Sequence, residues 1–224
     1  MASGLDFLSH FRQHSVQQFL LPHTQIFRQQ EPVRDIYLLE TGLVKMTHGE
    51  RNGKETILDL RFAGSFLGAT AALAHEPAPM TAATVTPCEV YRLSAPEFLR
   101  LAKNSEPFPQ SLLELVSRQR NEQLNLRAQQ STLDARPRLI MLLLRLAKEF
   151  GIERKGQLYL ALPIAKQDMA GMLGITPQRL SNILREIKAE RVIAEERGWI
   201  ILQNRQALRY EAWTDEKRET WSQL

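Results

Sequence analysis

Residues 163–193 read PIAKQDMAGMLGITPQRLSNILREIKAERVI, and this stretch decides the fold of the C-terminal part. Ala165 to Leu173 spaces its apolar residues as a helix of about two and a half turns. Gly174-Ile-Thr-Pro interrupts the pattern, and Gln178 to Glu190 resumes it. Thr176 stands at the N-cap, where its hydroxyl accepts from first-turn amides, and Pro177 takes the first helical position, which needs no amide proton. Two helices joined by a tight glycine-bearing turn predict a helix-turn-helix. In the second helix Leu180, Ile183, Leu184 and Ile187 fall on one face, and Gln178, Ser181, Asn182 and Arg185 fall on the other. The polar face carries amide, hydroxyl and guanidinium groups. Gln and Asn pair bidentately with adenine in the major groove and Arg with guanine, so these four are candidate base readers. Thr176 and Arg179, at the helix start, are candidate phosphate contacts. Val192-Ile-Ala, Glu195-Glu-Arg-Gly and Trp199-Ile-Ile-Leu then predict a hairpin, the wing of a winged helix.

Upstream, Pro137 breaks a helical pattern, and Leu139 to Phe150 predicts a fully apolar helix ended by Gly151. Before it, Gln110 to Leu133 runs without Gly or Pro. Leu112, Val116, Gln119, Gln123, Leu126, Gln130 and Leu133 follow one another in alternating steps of four and three. That heptad seam, interrupted by glutamines, predicts a long helix that pairs two copies of the chain in parallel, its polar positions fixing partner and register.

Residues 19–103 read as short strands between turns. Asp35-Ile-Tyr-Leu-Leu stops at Thr41-Gly42, Leu43-Val-Lys-Met-Thr alternates, and Thr56-Ile-Leu-Asp-Leu-Arg-Phe alternates again up to Ala63-Gly64. Thr84-Val-Thr and Glu89-Val-Tyr-Arg-Leu complete the set. Such strands predict a β-sandwich or barrel, and Asn52-Gly53 predicts a hairpin because both central residues of a type I′ turn need positive φ.

Composition narrows the function. Of the 224 residues 43% are hydrophobic and 24% charged, enough apolar side chain for a core. No apolar run reaches the ~18 residues of a membrane span, and no secretory signal opens the chain, so a cytoplasmic protein is expected. Lys plus Arg is 29 against 25 Asp plus Glu, and the surplus lies from Ala135 onward, with 16 basic and 11 acidic residues. A basic C-terminal part suits a polyanion. The single cysteine, Cys88, excludes a disulfide framework and any cluster needing several thiolates. The sequence carries no nucleophile elbow, Walker loop, dinucleotide fingerprint, HExxH motif or strand-borne His-x-His pair, so it predicts a binding protein rather than an enzyme.

The order of parts resembles the Crp/Fnr superfamily of bacterial transcription regulators over nearly the whole chain. The resemblance rests on Ile36-Tyr-Leu-Leu-Glu-Thr-Gly42-Leu-Val-Lys, Gly53-Lys-Glu55, Gly64-Ser-Phe-Leu-Gly68, Cys88-Glu-Val and the helix-turn-helix. It implies an α+β fold: a cyclic-nucleotide-binding-like β jelly roll at 1–106, a dimerisation helix at 107–134 and a winged helix-turn-helix at 135–224. It also implies double-stranded DNA with an imperfect palindrome, RNA polymerase and a small-molecule effector as partners. The matching effector residues are Gly68, Ala69, Met80, Thr81 and Ala82, with Gln123 from the long helix. Cyclic-AMP-binding members follow the last glycine of the phosphate loop with Glu and later present Arg-Ser to the phosphate. Here Ala69 follows Gly68, and Pro79-Met80-Thr81-Ala82 lacks the arginine that would give a buried phosphate its strongest bonds, so cyclic AMP is not expected in the usual mode. The iron–sulfur members need four cysteines, which excludes that cofactor. Other members carrying a similar Pro-Ile-Ala-Lys-Gln sense nitric oxide through haem; the candidate axial ligands would be His10, His14, His23, His48, His75 or Met80. The recognition helix departs from relatives that show Glu at Gln178 and Arg at Asn182, so the usual operator is not expected. The alternatives are a cyclic-nucleotide-binding regulatory protein without a DNA role and a haem-based gas sensor of the same family.

Overall fold

Strand Asp35–Thr41 is apolar on both faces because both faces are covered. Ile36 and Leu38 pack on one side against helices, and Leu39 packs on the other into the space between two sheets. A doubly covered strand reads as a continuous apolar run rather than an alternating one. The computed structural model describes residues 2–49, 55–104, 134–154 and 156–212, together with 110, 112–114, 116, 117, 119–121, 124 and 125. It divides into two units, Met1–Asn125 and Leu126–Leu224.

The first unit opens with α1 (Ala2–Gln13), followed by β1 (Val16–Leu20), β2 (Gln25–Phe27), β3 (Asp35–Thr41), β4 (Val44–Gly49), β5 (Glu55–Arg61) and β6 (Phe66–Leu67). Helix α2 (Ala69–Ala74), β7 (Thr81–Thr84), β8 (Cys88–Ser94) and α3 (Ala95–Asn104) follow. The strands form two antiparallel four-stranded sheets in the orders β1-β8-β3-β6 and β2-β7-β4-β5. Leu39, Val44, Met46, Leu67, Ala82, Cys88 and Val90 fill the space between the sheets. Phe11 of α1, Ala72 of α2 and Phe98 of α3 close over Ile36, Leu38, Phe66 and Leu93 on the outer face of the first sheet. Phe11 meets Phe66 edge-on with centroids 4.8 Å apart.

This is the expected jelly roll, with three helices that the all-strand reading of 19–103 and its flank did not separate. Helix α2 has only six residues, too few to display a helical period. Strand β7 ends at Thr84 rather than beginning there, and the amides of Val85 and Thr86 turn back to the Leu43 carbonyl. Strands β4 and β5 pair down to Gly49 opposite Glu55, as a hairpin requires. The Asn52-Gly53 turn lies outside the described residues.

The structure places two of the expected seam positions against the unit's own core. Leu112 is 5% exposed inside the unit's own helix-side core, and Val116 packs against the same cluster. A side chain already buried at home has little apolar area left for a partner. Leu113 and Leu124, absent from the expected seam, are 68% and 48% exposed. Gln123, Leu126, Gln130 and Leu133 lie outside the described residues.

The second unit begins with α4 (Ala135–Phe150). Pro137 does not break it; proline sits in the first turn, where its missing amide would have had no intrahelical partner. Nor is the helix fully apolar: Leu139, Ile140, Leu143, Leu146 and Ala147 are buried while Lys148 and Glu149 are exposed. Gly151 ends it as expected and starts β9 (Gly151–Arg154), which pairs with β10 (Gln157–Ala161). Helices α5 (Lys166–Met172) and α6 (Pro177–Ala189) form the helix-turn-helix. The wing strands β11 (Ile193–Glu196) and β12 (Trp199–Leu202) join the earlier pair in one sheet ordered β11-β12-β10-β9, and α7 (Arg205–Ala212) follows.

Candidate functional site

The turn between α5 and α6 sets the recognition helix. Gly174 takes φ 62°, a left-handed conformation that costs glycine nothing. The amide of Ile175 donates to the Ala170 carbonyl and that of Gly174 to the Gly171 carbonyl, both at 3.0 Å, closing α5 with a Schellman motif. Thr176 then caps α6: its hydroxyl oxygen accepts from the Arg179 amide at 3.2 Å, with Pro177 next in the chain. Leu180, Ile183, Leu184 and Ile187 anchor the helix by being buried.

That anchoring leaves Gln178, Ser181 and Arg185 exposed, with Asn182 half-buried among them. The four form one row, since offsets of three, four and seven return to the same side of a helix. Gln178 Nε2 donates to Asn182 Oδ1 at 3.3 Å, a pairing that aligns two amides capable of base recognition. Ser181 Oγ donates to the Pro177 carbonyl at 2.9 Å, leaving its lone pairs outward. No carboxylate stands in the row itself. Carboxylates flank it: Glu186 lies 3.9 Å from Arg179, and Glu195 of the wing meets Lys188 at 2.8 Å and Lys166 at 3.4 Å. These neighbours hold the Glu195 carboxyl below its ordinary range, the Lys188 hydrogen bond most of all. Arg136, at the start of α4, grips Glu190 at the C-cap of α6 through Nη1 at 2.8 Å and lowers that carboxyl too. Sequence reading missed both tethers. Their members lie 7 to 54 positions apart with no periodic signal.

The candidate effector residues fall in two places. Gly68 caps α2 at φ 86°, and a Cβ there would stand 2.8 Å from Val33 Cγ1, so the position takes only glycine. Ala69 is 3% exposed and belongs to the helix-side core around Phe11 and Ile36. Met80 and Ala82 belong instead with the inter-sheet core. The Thr81 hydroxyl is engaged, accepting from the Gln29 amide at 3.0 Å. Gln123 lies outside the described residues.

Among the candidate haem ligands, the rings of His10 and His14 lie with centroids 4.6 Å apart and planes tilted by 49°, His48 meets Gln29 at 3.0 Å, and His23 and His75 are exposed in turns at positive φ. Among the described residues no cluster of three or more His, Cys, Asp or Glu side chains is placed to hold a metal ion, and no helix is long and apolar enough to cross a membrane. Cys88 is buried between the sheets, and that burial pushes its thiol pKa up.

Comparison with known proteins agrees with both halves of this description. Residues 17–105 match the cyclic nucleotide-binding domain family, and residues 137–211 match the Crp-like helix-turn-helix domain family. The chain is 27% identical over 189 residues to a CRP-like cAMP-activated global transcriptional regulator of Mycobacterium tuberculosis, covering 83% of this chain and 80% of that one. It is 25% identical over 198 residues to an anaerobic regulatory protein of Bacillus subtilis, covering 84% and 80% respectively. In fold it is similar to FixK2 from Bradyrhizobium japonicum, with a TM-score of 0.75 at 18% identity over 89% of this chain and 98% of that one.

Proposed function

Because the chain belongs to the Crp/Fnr family of transcription regulators, we propose that it works as a homodimer whose two α6 helices read an imperfect palindrome in successive major grooves. The observation that carries this reading is the polar row of exposed Gln178, Ser181 and Arg185 and half-buried Asn182 on a helix capped at its start and buried along its back. Thr176 and Arg179 lie at the same helix start and face the phosphate backbone. A two-fold dimer places its half-sites roughly 34 Å apart, one duplex turn. Leu113 and Leu124, exposed on the long helix, supply the dimer contact. RNA polymerase and the cytoplasm are the partner and location such a regulator uses.

The effector is not cyclic AMP held by a ribose carboxylate and a phosphate arginine. The position that would supply the carboxylate, Ala69, is buried in an apolar cluster, where an unpaired charge would be costly. The matching Thr81 offers a neutral hydroxyl, which accepts from the Gln29 backbone amide and can donate one bond to a phosphate but supplies no positive charge. A titration of cyclic AMP by calorimetry tests this, and a micromolar dissociation constant overturns it.

Operator selection tests the DNA reading. Gln178→Ala and Arg185→Ala are each expected to cost about 1–3 kcal/mol on the selected site and to relax preference at one base pair. Arg179→Ala weakens binding to all sequences and flattens the salt dependence. If the first two variants select the same sequence as the parent protein, α6 does not read bases.

A further inference from the structure

The base-reading row of α6 is bordered by lysines that a single wing carboxylate holds. Lys188 follows Ser181 by seven residues, so it continues that side of the row about 10.5 Å further along the helix. Its ammonium lies 2.8 Å from Glu195 Oε2. The other oxygen of Glu195 lies 3.4 Å from the ammonium of Lys166, the first residue of α5. One carboxylate on the sheet's edge strand thus joins the first helix, the recognition helix and the wing. All three side chains are 36–52% exposed.

A helix seated in a major groove turns its central row to the bases and its flanks to the two phosphate backbones. Lys188 stands on such a flank. A free lysine there would bind phosphate whatever the sequence, because backbone contacts carry affinity without information. Glu195 opposes that contact in two ways: it neutralises much of the charge of both lysines, and it presents a negative group that phosphate must approach. Base contacts fix the position of a specific complex. A non-specific complex has only phosphate contacts and shifts to collect as many as it can. The carboxylate therefore penalises non-specific binding more than specific binding, and discrimination is the difference between the two.

We propose that Glu195 is a specificity-determining residue: by tying Lys166 and Lys188 to the wing it withholds them from the DNA backbone and keeps the affinity for non-cognate sequence low. This rests on the DNA-reading function proposed above. It assigns that function a residue that touches no base.

The test is Glu195→Gln in the full-length protein, a near-isosteric change that keeps the wing's shape and removes the charge. Binding is measured to the selected operator and to a random duplex between 50 and 200 mM salt. If both lysines are released, the non-specific salt slope steepens by about two, one counterion per lysine. Non-specific affinity then falls about tenfold more across that salt range than in the parent protein. At low salt the ratio of specific to non-specific affinity drops by about threefold or more. A second variant, Lys166→Gln with Lys188→Gln in the parent background, keeps the proposal falsifiable should Glu195→Gln disturb folding. It is expected to leave the non-specific slope almost unchanged, since those lysines are already withheld. An unchanged slope in Glu195→Gln overturns the proposal, as does a slope that flattens by two in the lysine variant. If the parent protein shows no preference for any selected site, the DNA-reading function itself fails, and that outcome is visible without either variant.

Discussion

The long helix gives the dimer a quantitative test. Leu113 and Leu124 are 68% and 48% exposed in a single chain, whereas Leu112 is 5% exposed. On an uninterrupted helix eleven residues make three turns with about 20° to spare, which would put Leu113 and Leu124 in one row. If a second copy covers that row, each chain buries the equivalent of slightly more than one leucine side chain. Full burial of a leucine contributes about 1.5–3 kcal/mol, so the two chains together gain roughly 3.5–7 kcal/mol from these four side chains. The double variant Leu113→Gln, Leu124→Gln removes that gain and keeps helix propensity close to leucine's. At about 1.4 kcal/mol per factor of ten, its dimer dissociation constant rises by two to five orders of magnitude. Sedimentation velocity from nanomolar to micromolar protein, with circular dichroism to confirm folding, reads the change directly. Val116→Gln is the counterpart: Val116 packs in its own unit, so the expected outcome is lower unfolding stability with little selective effect on the dimer. A double Leu variant that dissociates at the parent's concentration refutes the reasoning. A well-folded Val116→Gln monomer returns the contact to the row of Leu112 and Val116.

Two further outcomes follow from the described geometry. Gly174→Ala meets no atom within 4 Å of the new Cβ yet must adopt φ 62°, so it should destabilise the second unit by about 1–2 kcal/mol in urea unfolding, with Gly174→Asn costing less; equal stability of all three proteins would show that the turn does not need a left-handed residue. The buried Cys88 thiol has its pKa raised from an ordinary 9.0, chiefly by burial, so the native protein should resist a disulfide reagent at pH 8 and react fully once unfolded. Because the folded value is the higher one, this contribution to stability is complete below the unfolded value and fades as pH climbs through the folded one, with Tyr37 acting in the same direction higher up; a urea midpoint that stays level from pH 8 to 10.5 would contradict both shifts.

The helix-turn-helix was legible because its determinants are local. Cap, proline, glycine and apolar spacing all lie within residues 165–190, and each acts on neighbours one or two turns away. Strands β3, β4, β5 and β8 of the jelly roll were legible for the same reason, whereas β1, β2 and β6 were not named and β7 was placed too late. The helices that cover its first sheet were missed. Six residues of α2 show no period, whereas α3 does carry a local start signal, with Ser94 accepting from the Glu97 amide at 3.4 Å, Pro96 in the first turn and Phe98 and Leu101 at helical spacing, which the strand reading of 19–103 passed over. The seam is a different case. Alternating steps of four and three identify an apolar stripe but do not say what covers it, and here Leu112 and Val116 are covered by the chain's own core.

The same distinction separates the two functional regions. A surface proposed to read bases must remain accessible, so its chemistry stays written in consecutive turns of one helix, and the polar row Gln178, Ser181, Asn182 and Arg185 is visible as a row without tertiary information. An effector region is assembled from distant strands, and what its residues offer depends on what already occupies them. Ala69 reads in the sequence only as a missing carboxylate. In the fold it is part of the packing around Phe11 and Ile36. Thr81 reads only as a hydroxyl, and the fold shows that the Gln29 backbone amide, 52 residues earlier, holds its oxygen while leaving its O–H to donate. Glu195 lies between these cases: it stands beside the reading helix, yet its two partners are 7 and 29 positions away, and only the fold brings them to one carboxylate. Candidate base readers are thus found by periodicity. Candidate restraining groups such as Glu195 are found only by tracing which charges the fold has already paired.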